Sequence, residues 1–120
     1  MKVAIIGASG KTGIWLVRES LKRGYQVVAV CRNLSKDKLD EFASHHGFTI
    51  ITAPVVSDEV MLSSALSGCN AVIAILMTVR DLKATELVSS LVKATATHNV
   101  RRLVFTAGEV TAVPEKGENF

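Results

Sequence analysis

Aromatic residues are scarce in this sequence: one tryptophan, one tyrosine and four phenylalanines make up 5% of its 120 residues. Any core must therefore be built from Val, Ile, Leu and Ala, and hydrophobic residues do reach 48%. Aliphatic, β-branched runs of this kind fit strands buried on both faces, as in a parallel sheet covered by helices. Cysteine is equally sparse. Cys31 and Cys69 stand alone, with no CxxC pair and no neighbouring histidine, so neither a disulfide framework nor a thiolate zinc site is written here. Unpaired thiols, and an apolar run at Val3–Ile6 too short for a signal-peptide core, lead to the expectation of a cytoplasmic protein. Long apolar stretches are missing too. The longest, Ala71–Met77, falls well short of the roughly 18–20 residues that span a bilayer, which argues against a membrane protein.

Strong charge of one sign is also lacking. The formal net charge is +3 and the isoelectric point is near 9.1, with the basic residues scattered along the chain. A nucleic-acid face would show a denser basic stripe with aromatics interleaved, so no nucleic-acid partner is expected. A few cations aimed at a phosphorylated small molecule account for the balance better. The length suits one domain.

What is present is an alternation. Lys2–Ile6 is a short apolar run ended by Gly7, as a buried parallel strand would be. Ile14, Val17 and Leu21 recur at helical spacing before Gly24, and Gln26–Cys31 forms a second strand. Ser35 is a candidate cap for a second helix with Leu39, Phe42 and Ala43 on one face, ended by Gly47. Phe48–Thr52 reads as the third strand. A third helix opens at Ser57 or Asp58, buries Met61, Leu62, Ala65 and Leu66, and closes at Gly68. Ala71–Leu76 is the fourth strand. Leu87, Val88, Leu91 and Val92 mark a fourth helix that fades near His98-Asn99, and Arg102–Thr106 is the fifth strand. Alternating strands and helices with short loops require parallel strands and right-handed crossovers. The expected fold is a Rossmann-type, doubly wound α/β/α sheet in the order 3-2-1-4-5, with a ligand crevice at the carboxyl ends of strands one and four. Residues 1–108 form that domain; 109–120 are a polar tail.

Between the first strand and first helix stands Gly7-Ala8-Ser9-Gly10-Lys11-Thr12-Gly13. A strand that turns at once into a helix needs positive φ, which Gly7 adopts cheaply. Gly10 lets a pyrophosphate approach the main chain, and Gly13 lets the helix pack against the sheet. The free N–H groups and the positive end of the helix dipole then face the phosphates. The spacing is GxxGxxG rather than the commoner GxGxxG. Gly10-Lys11-Thr12 also echoes a P-loop, but that motif needs a glycine five residues before Gly10, where Ile5 stands. At the end of the second strand, where an NAD-selective site places Asp or Glu, this chain has Arg32. A guanidinium there attracts a 2′-phosphate, with Lys11 adding a second charge. The cofactor expected is NADP(H), with NAD(H) the alternative.

Val3–Gly13, Arg32, Val56–Leu76 and Arg101-Arg102-Leu103-Val104-Phe105 together resemble an atypical short-chain dehydrogenase/reductase, of the NAD(P)H-binding, NmrA-like type that includes biliverdin and flavin reductases. The resemblance implies cofactor phosphates on Gly7, Ser9, Gly10, Lys11, Thr12 and Gly13 and a 2′-phosphate on Arg32. It further implies that Ile75-Leu76-Met77 and Thr106-Ala107-Gly108 flank the nicotinamide ribose and ring. Three departures stand out. Pro54-Val55 precedes Val56-Ser57-Asp58, so of a familiar adenine-side pattern only Asp58 matches. Strand five ends in Thr106-Ala107 rather than a serine pair. The single tyrosine, Tyr25, has no lysine four residues on, so the Tyr-x-x-x-Lys acid/base pair is missing. Related enzymes continue past the fifth strand into a substrate region, so the chain reads as the cofactor part, with a truncation point in the tail. An unpaired fifth strand points to a homodimer.

Other candidates carry less. His45-His46, with Asp40 and Glu41 upstream, has no third ligand at suitable spacing and reads as a solvated helix end; no metal is expected. His98 belongs to a helix end, where hydrogen bonds to free carbonyls are useful. Cys31 and Trp15 read as packing residues. Thr106 is the one candidate catalytic group, a hydroxyl able to donate to a substrate carbonyl. Two functions follow: an NADPH-dependent reductase of a small carbonyl or conjugated substrate, or a non-catalytic NADP(H)-binding, redox-sensing module.

Overall fold

The computed structural model describes residues 1–53, 59–76 and 82–107. Asp58, Met77, Gly108 and the 109–120 tail, all singled out above, lie outside the described residues.

Strands β1 (Lys2–Ile6), β2 (Gln26–Arg32), β3 (Phe48–Ala53), β4 (Ala71–Leu76) and β5 (Arg102–Ala107) form one sheet in the order β3-β2-β1-β4-β5. All four pairings are parallel, with Ile6 level with Val30 on one side and with Ala74 on the other. Helix α1 (Lys11–Lys22) and a 3-10 segment (Asn33–Phe42) belong to one face; α2 (Glu59–Leu66) and α3 (Leu82–Thr97) belong to the other. This is the three-layer Rossmann-type architecture the alternation predicts.

Because side chains alternate along a strand, the central strands feed two cores. Val3, Ile5, Val27 and Ala29 pack with Val17 and Leu21 of α1 and with Leu39 and Phe42 of the 3-10 segment. Ala4, Ile6, Val28, Val30, Val72 and Ala74 pack with Leu62, Ala65 and Leu66 of α2 and Leu91 of α3. Burying both faces leaves no polar alternation, which is why these strands read as continuous apolar runs.

Four expectations need correction. The second helix is not an α-helix started by Ser35: it is a 3-10 run that begins at Asn33, directly after Arg32. The buried pair Leu39 and Phe42 has the i, i+3 spacing that a 3-10 turn eclipses. Ala43 follows that run and is exposed. Trp15 does not pack; it is 56% exposed. At 100° per residue it points about 200° away from buried Val17. Val92 is likewise exposed, because the stripe of α3 is centred on Leu91 and takes in Ser90 and Ala94 instead.

Candidate cofactor site at the glycine loop

At the carboxyl end of β1 the chain enters the loop, and α1 begins at Lys11. Gly7 has φ +83°, a conformation that costs other residues roughly 1–2 kcal/mol. A Cβ built there would lie 3.0 Å from the Ile75 carbonyl oxygen on β4. The loop therefore crosses between β1 and β4, where the strand order reverses. That is the place at which doubly wound sheets bind ligands.

The backbone of β2 pins the loop. Gly7 N–H and Ala8 N–H both donate to the Val30 carbonyl, at 2.9 and 3.2 Å. The role of Gly7 is thus conformational, its donor being already committed. Ala8 is fully buried, and a Cβ at Gly13 would come within 2.6 Å of the Ala8 backbone. Glycine at 13 lets the first turn of α1 rest on the loop itself, whereas the sequence reading had the sheet as its neighbour.

Gly10 differs from both. A Cβ there meets nothing within 4 Å, so its face is open. It is the N-cap of α1, with φ −82° and ψ 174°, and among the described residues no side chain caps the helix, nor does its first turn carry a carboxylate. The first-turn N–H groups of an α-helix lack intrahelical partners, and here they end beside open space. Lys11 and Thr12 are exposed, Ser9 and Gly10 half-buried. Uncapped donors, a positive dipole end and a lysine make an anion site.

The flanking residues arrive at the same end of the sheet. Arg32 is the exposed last residue of β2 and has no ion-pair partner among the described residues. Ile75 is buried, and it pairs in register with Thr106, as Leu76 does with Ala107. Thr106 Oγ1 is buried without a hydrogen-bond partner among the described residues. A buried orphan hydroxyl marks a place where water or a ligand group belongs. The open face of Gly10, the uncapped helix and this hydroxyl fit a dinucleotide. Ser9–Gly13 would hold its phosphates, Arg32 one end and Ile75 with Thr106 the other.

The remaining candidates lie elsewhere. Tyr25 precedes the first residue of β2, at the opposite end of the sheet from the loop. Cys31 is buried in the α1-side core, and burial pushes its thiol pKa up, away from the reactive thiolate. His45 and His46 are exposed and stacked at 5.0 Å, and His45 Nδ1 accepts from Gly47 N–H at 3.0 Å. His98 bonds the Ser63 hydroxyl of α2 through Nε2 at 2.9 Å, not a free carbonyl. Among the described residues no three His, Cys, Asp or Glu side chains cluster to hold a metal, and no helix is long and apolar enough to cross a membrane. Sequence reasoning missed the Val30 carbonyl. A backbone acceptor leaves no trace in residue identity.

A family model described as NAD(P)H-binding matches residues 7–119. Cinnamoyl-CoA reductase 1 of Oryza sativa subsp. japonica is 33% identical over 114 residues, covering 88% of this chain and 33% of that protein. A short-chain dehydrogenase/reductase of Veillonella parvula, solved in complex with NADP, superposes with a TM-score of 0.74 at 23% identity over 87% of this chain and 46% of its own. An NADPH-dependent quinone oxidoreductase of Escherichia coli, solved with NADPH, gives a TM-score of 0.68 at 27% identity over 86% of this chain and 35% of its own. The chain thus spans a third of that curated relative and less than half of these solved structures. Because that family model takes in most of the chain, from the glycine loop onward, this chain belongs to the NAD(P)H-binding family.

Proposed function

We propose that the chain holds NADPH for the reduction of a small carbonyl or conjugated substrate. The observation that carries this reading is the open face of Gly10 at the start of α1, with Arg32 exposed at the adjoining strand end and without an ion pair among the described residues. NADP and NADPH complexes among the structural neighbours support the choice of cofactor. When bound, the cofactor supplies a hydride. The chain's own part is to bind and orient. First-turn N–H groups and Lys11 neutralise the pyrophosphate, and Arg32 attracts a 2′-phosphate. Ile75 excludes water from the reacting end, and Thr106 Oγ1 offers a hydrogen bond there.

A second reading, a binding module without turnover, is favoured by one observation. Tyr25 stands at the far end of the sheet, so it brings no phenolic acid to the crevice.

Titration with NADPH and NADH, followed by NADPH oxidation with flavin, quinone and biliverdin panels, separates the two. Oxidation that is lost in Gly10→Val supports the reductase; tight binding without oxidation supports the module. Arg32→Ala should weaken NADPH about ten- to a hundredfold, because a charged hydrogen bond contributes roughly 1.5–3 kcal/mol, and should leave NADH nearly unchanged. Equal weakening of both would refute the 2′-phosphate contact.

A further inference from the structure

Strand β3 is an outer strand of the sheet, so one side of its backbone has no strand neighbour among the described residues. Proteins usually blunt such edges with lysine, proline or a bulge. The sequence of β3, Phe-Thr-Ile-Ile-Thr-Ala, has no charge and no proline. Nothing in it discourages the addition of another strand.

Beside this edge, between β3 and the 3-10 segment, lies a groove of about 280 Å³ lined by Asp37, Leu39, Asp40, Ala43, Phe48 and Ile50. Leu39 is buried and Ile50 is 36% exposed. Phe48 and Ile50 are two residues apart and so share one face of the strand, and the Phe48 ring meets that of Phe42 at 5.6 Å between centroids. The groove is at the lower bound of the roughly 300–1,000 Å³ that encloses a small molecule, with room for an apolar side chain.

Its rim carries two carboxylates with no ion pair among the described residues. Arg18 holds Glu41 at 2.9 Å, whereas Asp37 and Asp40 are exposed and have no ion-pair partner among the described residues. Lys38 lies between them in sequence but does not line the groove. An open strand edge, an apolar slot and two free carboxylates on one face select a particular occupant.

We propose that an extended, basic segment of a partner protein adds to β3 as a strand. An apolar side chain fills the groove, and lysine or arginine two residues to either side, hence on the same face, meets Asp37 and Asp40. Main-chain bonds to the edge supply affinity, and the groove and carboxylates supply sequence preference. The cofactor crevice takes no part.

The test uses a fluorescein-labelled peptide, Lys-Thr-Leu-Thr-Lys-Thr, in anisotropy titrations against the full chain. Binding should weaken about tenfold or more for the Glu-Thr-Leu-Thr-Glu-Thr peptide and for a backbone N-methylated form. The same loss is expected in the double variant Asp37→Lys/Asp40→Lys and in Ile50→Lys, while the NADPH affinity of both variants stays unchanged and reports that they are folded. Equal binding of the glutamate peptide, or undiminished binding to Asp37→Lys/Asp40→Lys, would overturn the charge reading. Undiminished binding of the N-methylated peptide, as a small cation would show, or displacement of the peptide by self-association of the chain, would overturn strand addition.

Discussion

Replacing Gly10 by alanine separates the fold of the loop from its use. The Cβ enters open space, since nothing lies within 4 Å of it, and φ of −82° is ordinary for any residue. Removing glycine reduces the freedom of the unfolded chain, worth about 0.4–1 kcal/mol where the backbone is compatible, but alanine is a poorer N-cap than glycine by a similar amount. The two nearly cancel, so Tm should stay within roughly 2–4 °C of wild type. The same methyl group stands where an anion must reach the first-turn N–H groups. Displacing one charge-assisted hydrogen bond of about 1.5–3 kcal/mol weakens NADPH roughly ten- to a hundredfold. The expected outcome is a variant of nearly unchanged stability that is much poorer at binding.

Gly13→Ala is the contrast. Its Cβ would meet the Ala8 backbone at 2.6 Å, a clash with main-chain atoms that no rotamer relieves. Overpacking of this kind costs about 1–3 kcal/mol or more, so both stability and binding should fall. Thermal unfolding by circular dichroism and titration by NADPH fluorescence read the two quantities independently. Gly10→Ala with wild-type affinity would refute the placement of the phosphates. A Tm for Gly10→Ala as low as that of Gly13→Ala would refute the open space itself.

Stability should fall with pH in the alkaline range, because burial raises the thiol pKa of Cys31 and of Cys69, partly opposed at Cys69 by Lys2. Below the unfolded thiol pKa of about 8.5 both states are protonated and nothing changes. Above it the unfolded state loses its protons first, so stability declines by up to about 1.4 kcal/mol per pH unit per thiol until the folded thiols ionise. Urea unfolding at pH 7 and 9.5 checks this. A Cys31→Ala/Cys69→Ala variant with the same pH slope as wild type would refute it. Ser63→Ala removes the hydrogen bond that ties α2 to His98, the residue after α3, and should lower stability by about 0.5–1.5 kcal/mol without altering NADPH affinity; an affinity loss would show that the pair reaches the crevice. Strand β5 is the other outer strand among the described residues, with Val104 48% and Phe105 38% exposed; the homodimer proposed through it is one that sediments in a concentration-dependent way and is lost in Val104→Lys. A monomer at all concentrations rejects it.

The parts of this molecule that were legible in its sequence are those in which one residue type has one physical reason. Val3–Ile6 and Ala71–Leu76 are unbroken apolar runs because each strand lies between two cores. Gly7 and Gly13 are glycines because one needs positive φ and the other a missing Cβ. Illegible were features set by tertiary partners. Whether Leu39 and Phe42 reach the core from an α or a 3-10 run depends on the loop lengths around them. That Trp15 faces outward follows from the rotation of α1, and that rotation is fixed by Gly13 against Ala8. Ala8 carries no functional signature of its own.

Sheet order converts these local facts into a requirement on the ligand. Arg32 ends β2, the loop closes over β1, Ile75 is on β4 and Thr106 is on β5, in the spatial sequence β2-β1-β4-β5. With about 4.8 Å between neighbouring strands, the charged end and the hydroxyl end of the crevice are roughly 14 Å apart. The anion site of α1 lies between them. A mononucleotide reaching Arg32 from the loop would leave Thr106 Oγ1 still without a partner. One placed against β4 and β5 would leave Arg32 idle. Only a ligand with two ends and a charged middle uses all three groups, and a pyrophosphate joining two nucleosides has that form. On the proposed function, a hydroxyl and a guanidinium that both lack partners among the described residues fit a dinucleotide jointly, where each alone would fit only an anion or a water molecule.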